Sequence, residues 1–168
     1  MSQQQASLPT LPPVYQLGFV VSDIERACKH YEAVFGTGPF SQIIDVNMDG
    51  ALLRGKPIDT TIKVAFVQSG GVQIELIQPV AGENLYTEFL EARGEGIHHL
   101  AYQVEAEDLA AVKAAFSEKV GESVFSRDMG IMEFAYFDTS EVGGLMIEFL
   151  CFKNRGEQAK ERASGGAK

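Results

Sequence analysis

Four residues of this chain, Gln16, Glu75, His99 and Glu148, are of types and at spacings that could do chemistry together. They come as two pairs. Gln16 opens Gln-Leu-Gly-Phe-Val-Val and His99 opens His-Leu-Ala-Tyr-Gln-Val, each run followed by an acidic helix start. Glu75 sits in Gly71-Val-Gln-Ile-Glu-Leu-Ile, and Glu148 in Gly144-Leu-Met-Ile-Glu-Phe-Leu. A carboxylate in the middle of an apolar strand is expensive to bury without a partner. Neither stretch contains a Lys or Arg to supply one; a divalent cation would. One imidazole, two carboxylates and an amide oxygen suit Zn²⁺, Ni²⁺, Co²⁺, Mn²⁺ or Mg²⁺, and a single histidine disfavours the two-histidine, one-carboxylate iron site of oxygen-activating enzymes. The two carboxylates would balance the metal charge and leave coordination positions for water or substrate. Taken singly, a strand Gln usually bonds a neighbour and a Glu among apolar residues often marks a strand edge. Recurrence at matching places in a repeat is what points to one shared cation.

The repeat also defines the elements that must hold these groups. In the first copy, residues 15–21 read as a strand. Ser22 or Asp23 can cap a helix running to Phe35, with Ile24, Ala27, Cys28, Tyr31, Val34 and Phe35 on one face and Gly36 as its stop. Strands are expected over 40–48, 62–68 and 72–78, the last two joined by a Ser69-Gly-Gly71 turn. A helix over 85–93, ending at Gly94, bridges to the second copy. There the pattern predicts a strand over 97–104, a helix over 108–119 ending near Gly121, and strands over 123–127, 133–138 and 145–152. The first copy spaces its polar pair ten residues wider than the second, and the excess falls in a Gly- and Pro-containing loop over 47–59 that could cover a pocket. A unit seen twice is a paired module rather than a solenoid. Strand alternation puts Gln16, Gly18 and Val20 on one face and His99, Ala101 and Gln103 on another. By the same alternation His98 should point away from His99, as a packing or helix-contacting residue, while His30 should be solvated.

Composition narrows the class. At 168 residues the chain fits one domain able to bury its own core. A net charge of −9 with no Lys/Arg cluster argues against nucleic acid or an anionic membrane as partner. No apolar run is long enough to span a bilayer, and no secretory pattern opens the chain. Cys28 and Cys151 lie inside apolar patterns and suit reduced, buried thiols of a cytoplasmic protein. Residues 1–13, Gln- and Pro-rich, read as a flexible leader and 153–168 as a flexible tail. Between them lies one domain over 14–152: module one 14–80, linker helix 83–94, module two 96–152. P-loop, dinucleotide and nucleophile-elbow signatures are absent.

Over roughly 14–152 these residues resemble the vicinal oxygen chelate superfamily of glyoxalases, bleomycin-resistance proteins, extradiol dioxygenases and methylmalonyl-CoA epimerases. Gly94-Glu-Gly-Ile-His-His-Leu-Ala-Tyr-Gln-Val104, Ile74-Glu-Leu-Ile-Gln-Pro79 and Val142-Gly-Gly-Leu-Met-Ile-Glu148 are most similar to the epimerase branch. The resemblance implies an α+β fold of two tandem βαβββ modules curled as a sheet around a central metal cavity, with Gln16, Glu75, His99 and Glu148 as ligands. Epimerases usually carry His at the first position; the Gln/Glu/His/Glu set is instead that of eukaryotic-type glyoxalase I, which uses zinc. Val20 and Pro79 stand where that enzyme's glutathione-binding basic residue and Asn would be, which counts against glutathione conjugates. The implied activity is that of a lyase or isomerase/epimerase acting on a small-molecule carbonyl substrate by proton abstraction, with a metal-stabilised enediolate and Glu148, then Glu75, as the base. Two other classes stay open: a non-catalytic bleomycin-resistance-like binding protein and an extradiol-type dioxygenase. Paired modules of this kind often dimerise, so a homodimer is compatible with the resemblance. Phe40, Met48, Leu52, Phe66, Met132 and Phe134 are the expected apolar walls.

Overall fold

Strand and helix signals resolve into two copies of one unit in the computed structural model, which describes residues 10–141 and 143–153. The expected leader and tail lie almost wholly outside the described residues; residues 10–13 carry no regular secondary structure. In chain order the elements are β1 (Gln16–Val20), α1 (Ile24–His30, prolonged by a π-helical turn over Tyr31–Phe35), β2 (Ile44–Asn47), β3 (Ala51–Leu53), β4 (Lys56–Ile58), β5 (Thr61–Ser69) and β6 (Val72–Ala81). After α2 (Leu85–Arg93) come β7 (Gly96–Gln103), α3 (Leu109–Val120), β8 (Phe125–Asp128), β9 (Met132–Phe137) and β10 (Met146–Phe152). No helix among the described residues is long and apolar enough to cross a membrane.

All ten strands form one curled sheet in the order β2-β5-β6-β1-β7-β10-β9-β8-β3-β4. Each unit places its first strand parallel to its last, β1 beside β6 and β7 beside β10, and the two units meet where β1 and β7 run antiparallel. The alternation expected of strands is kept: Ile62, Val64, Phe134 and Tyr136 belong to an inner cluster shared by both wings of the sheet. The residues between them cover helices on the outer face. Ala65 and Leu76 pack under α1, and Ala135, Phe137 and Phe149 under α3.

Local chemistry explains the boundaries. Asp23 caps α1 by accepting from Arg26 N, and Gly36 ends the π turn with φ +64°, a left-handed conformation that glycine adopts without strain. Asn84 caps α2, accepting from the amides of Tyr86 and Thr87. Gly70-Gly71 closes the β5–β6 hairpin between the paired Ser69 and Val72. Two expectations are corrected. The strand expected from residue 40 begins only at Ile44: Glu32 Oε1 accepts from Phe40 N, and although Ser41 N donates to Phe66 O, the Ser41 hydroxyl rather than a backbone carbonyl accepts from Phe66 N, so no regular ladder forms there. The insertion is no loop. It folds as the β3–β4 hairpin, and β3 pairs with β8 of the other unit, so the extra residues of module one extend the sheet edge of module two.

Candidate metal and proton-transfer site

The four middle strands, β6-β1-β7-β10, carry the polar residues in two lateral rows. One row reads Glu75, Gly18, His99, Met146; the other reads Gln73, Gln16, Ala101, Glu148. The duplication maps one row onto the other with its direction reversed, so Glu75 answers Glu148 and His99 answers Gln16. Gln16, Glu75 and Glu148 line a single cavity of about 340 Å³. His99 is completely buried, its Nε2 lying 3.3 Å from a Glu148 oxygen and 3.6 Å from a Glu75 oxygen. The four residues therefore lie around one chamber, three facing it and the fourth touching two of the three.

Their electrostatics follow from burial. Desolvation opposes a charge on His99, but the hydrogen-bonding and charge of Glu148 and Glu75 outweigh it and hold the imidazole up at about 9. Desolvation also raises Glu75, with His99 pulling the other way. The Glu148 oxygen nearest His99 is buried and close enough for an ion pair, yet has no aligned hydrogen bond. Gln16 donates from Nε2 to Gln73 Oε1 at 2.8 Å, which leaves its amide oxygen as the atom available for a cation. Among the described residues no three His, Cys, Asp or Glu side chains already stand in an arrangement able to hold a metal ion. Without a cation, the imidazolium is the charge partner on which both carboxylates close. The donor set nonetheless fits one: an incompletely satisfied buried carboxylate, a second carboxylate and an imidazole in contact, and a free amide oxygen.

Behind the cavity lies a network that alternation did not foretell. The register between β1 and β7 slips at Gly18: Gly18 pairs with His99 but Phe19 with Ile97, so His98 is the extra residue of a β-bulge. The expectation that His98 points away from His99 is corrected. Both imidazoles are buried, and Nδ1 of one lies 3.1 Å from Nδ1 of the other. The helix contact does hold, since His98 packs against Tyr86 and Phe89 of α2 with ring centroids 5.1 Å away in each case. Burial pushes His98 well below the usual imidazole range, so it stays neutral; beside a protonated His99 its Nδ1 is the acceptor, which leaves its proton on Nε2, a buried atom with no hydrogen-bond partner among the described residues. Tyr136 adds a hydroxyl 3.5 Å from His99 Nε2 and 2.9 Å from the Tyr86 hydroxyl. Burial raises both phenols well above their ordinary range, so they remain protonated donors. Gly18 is the other residue the sequence hid. A Cβ at that position would fall on the His99 ring, so only glycine admits the imidazole there.

A family model described as the Glyoxalase/Bleomycin resistance protein/Dioxygenase superfamily matches residues 15–133. The chain belongs to this superfamily. The uncharacterized protein YqjC of Bacillus subtilis (strain 168) is 28% identical over 148 residues, covering 86% of this chain and 94% of its own. Among solved structures, methylmalonyl-CoA epimerase from Mycobacterium tuberculosis superposes with a TM-score of 0.63 at 22% identity, over 94% of this chain and 99% of that one. Hypothetical protein BH1468 from Bacillus halodurans C-125 gives 0.61 at 23%, over 83% and 94%. At such identities the structures share the superfamily fold, and they bear out the paired-module architecture expected from the repeat.

Of the expected apolar walls, Met48, Phe66, Met132 and Phe134 line the cavity. Phe40 instead packs beside α1, and Leu52 is 43% exposed, because β3 lies near the outer edge of the sheet. His30 is exposed and both cysteines are buried and free, as expected.

Proposed function

We propose that this chain is a divalent-metal-dependent lyase or isomerase/epimerase that moves a proton next to a substrate carbonyl. The observation that carries this reading is Glu148. It is a buried carboxylate on the cavity wall with an oxygen lacking a hydrogen bond, beside a second carboxylate and an imidazole drawn from the two halves of the sheet. Gln16, Glu75, His99 and Glu148 would hold the ion. A bound divalent cation would supply Lewis-acid stabilisation of negative charge developing on a substrate oxygen.

The chain's own residues do the rest. Glu148 takes the proton, with Glu75 as its counterpart across the two-fold relation; in an epimerisation the two could serve opposite faces of the same carbon. The Tyr136 hydroxyl, protonated and within reach of the same point, can donate to a charged oxygen. His98 keeps the His99 Nδ1–H engaged, so that Nε2 is the nitrogen facing the carboxylates. Met132, Phe134 and their neighbours exclude water from the base. The names of structural neighbours support an epimerisation among the reactions this site could run.

The test uses phenacyl alcohol, a small α-hydroxyketone, in deuterated water with protein loaded with Zn²⁺ or Ni²⁺. Exchange of the carbon-bound hydrogens should exceed the background. It should fall by about 10²–10⁴-fold in Glu148→Gln with the fold retained, the usual contribution of a positioned acid–base group. Unchanged exchange in that variant removes Glu148 from the role of base. A non-catalytic binding protein of bleomycin-resistance type is the second reading, favoured by the apolar walls and by carboxylates closed on the imidazole; purified protein that retains no metal and catalyses no exchange would support it.

A further inference from the structure

We infer that the cavity selects an uncharged substrate with one oxygen-bearing end and an apolar, alkyl or aromatic body. This rests on the proposed function for the polar end and on the cavity walls for the rest. The polar side chains Gln16, Gln73, Glu75 and Glu148 gather on β1, β6 and β10, and the hydroxyls of Tyr86 on α2 and Tyr136 on β9 join them, with Tyr15 just before β1 as the third tyrosine of the lining. Away from them the walls are aliphatic, aromatic and thioether, from Ile44 and Val46 on β2 to Met132 and Phe134 on β9 and Leu150 and Phe152 on β10.

Among the described residues lining the cavity there is no lysine or arginine. Alternation explains where nearby cations go. Ile62, Val64 and Phe66 turn inward on β5, which sends Lys63 to the other face. Arg127 is engaged with the Asn47 carbonyl, Arg54 with Glu88, and Lys153 with Asp128 and Glu133.

The charge balance points the same way. Two carboxylates offset one divalent cation and leave nothing over for an anionic ligand. An anionic group reaching along the body of a substrate would be buried without a partner, which is costly. The walls favour an uncharged body on general grounds too, since ligand pockets place few polar groups at one end of a mainly apolar surface. Met48, Met129 and Met132 can shift to fit bodies of different outline.

The experiment is calorimetric titration with phenacyl alcohol and with its para-carboxylate. The two share the same ketone and hydroxyl and differ at the far end, where a carboxylate replaces a ring hydrogen. Each is titrated into metal-free and Zn²⁺-loaded protein. The neutral compound should bind at least tenfold more tightly than the carboxylate in both states. Val46→Arg, which places a cation on the apolar wall, should narrow that gap; Ile44→Lys, at a position already 46% exposed, is the second variant if the first does not fold. Equal binding of the two compounds to the wild-type protein, or binding of neither, overturns the inference. Metal loading should tighten the neutral compound further. A preference that persists with no gain from metal leaves the substrate class standing and removes the metal from the proposed function, so the two failures are distinct.

Discussion

The two halves of the sheet solve the same placement problem with different side chains. In module one Gln16 lies beside Gln73 on the neighbouring strand and is fixed by a single amide–amide hydrogen bond of 2.8 Å. In module two the equivalent place holds His99, whose row neighbour on β10 is the thioether Met146 rather than an amide. The group that orients it comes instead from the bulge, as His98 Nδ1. The residues that correspond as Gly18 and Ala101 differ for the same reason: module one lends its glycine to make room for the ring of module two, and module two returns no such space. The difference teaches that the repeat supplies the scaffold and the two glutamates, while the distinct candidate ligands each require their own support.

Exchanging the small residue on each side should break the symmetry most sharply. Gly18→Ala drives a methyl into the His99 ring and is expected to cost about 1–3 kcal/mol of stability, as overpacking does. Zn²⁺ affinity in calorimetry should fall by more than tenfold as the ring is displaced. Ala101→Gly, its counterpart, should cost only about 0.5–1 kcal/mol, the backbone entropy of glycine in a strand, and leave Zn²⁺ binding nearly intact. Equal effects from the two substitutions would mean that the His99 ring does not depend on that space.

The supporting residues come next. His98→Leu removes the acceptor for a buried N–H and should lower Zn²⁺ affinity about 10–100-fold, the usual range when the hydrogen-bond partner of a metal-binding imidazole is lost. Gln73→Met, which copies the Met146 arrangement into module one, should cost less, because the Gln16 side-chain carboxamide can rotate to another partner, whereas the buried His99 N–H would be left without an acceptor. The same titration measures both; a larger loss from Gln73→Met would reverse the ranking of the two supports.

Titration sharpens the comparison further, since Gln16 has no proton to lose and His99 does. His99 is held at about 9 in the metal-free protein. A folded-state value above the free imidazole value of about 6.5 contributes stability that is whole below 6.5 and is lost as pH rises through about 9. A metal must displace this proton, so apparent Zn²⁺ affinity should rise up to tenfold per pH unit on approaching 9 and then level. Calorimetry across pH checks this, and His99→Gln, which makes the two halves alike, should flatten the profile.

Much of the fold is legible in the sequence. Helix ends were marked by Gly36, Gly94 and Gly121, the hairpin by Gly70-Gly71, and the pairing of halves by the repeat itself. What escaped was chemistry that leaves no periodic trace. The β7 bulge falls in Ile97-His98-His99, with no glycine or proline to flag it, so simple alternation sent His98 to the wrong side. The β3–β4 hairpin did carry a signal in Arg54-Gly55, whose φ values of +49° and +76° suit a tight two-residue turn. It was masked by very short strands and by Pro57, which the outermost strand tolerates because its free edge needs no amide donor. Gly18 looked like any strand glycine until the ring of another strand was found against it.

The central claim is that one cation is shared by Gln16, Glu75, His99 and Glu148, two ligands from each half. Metal-edge X-ray absorption on Zn²⁺-loaded protein tests it directly. The account predicts one ion per chain with a single imidazole and otherwise oxygen ligands at about 2.0–2.2 Å. Two imidazoles, a sulfur ligand, or no retained ion would contradict it.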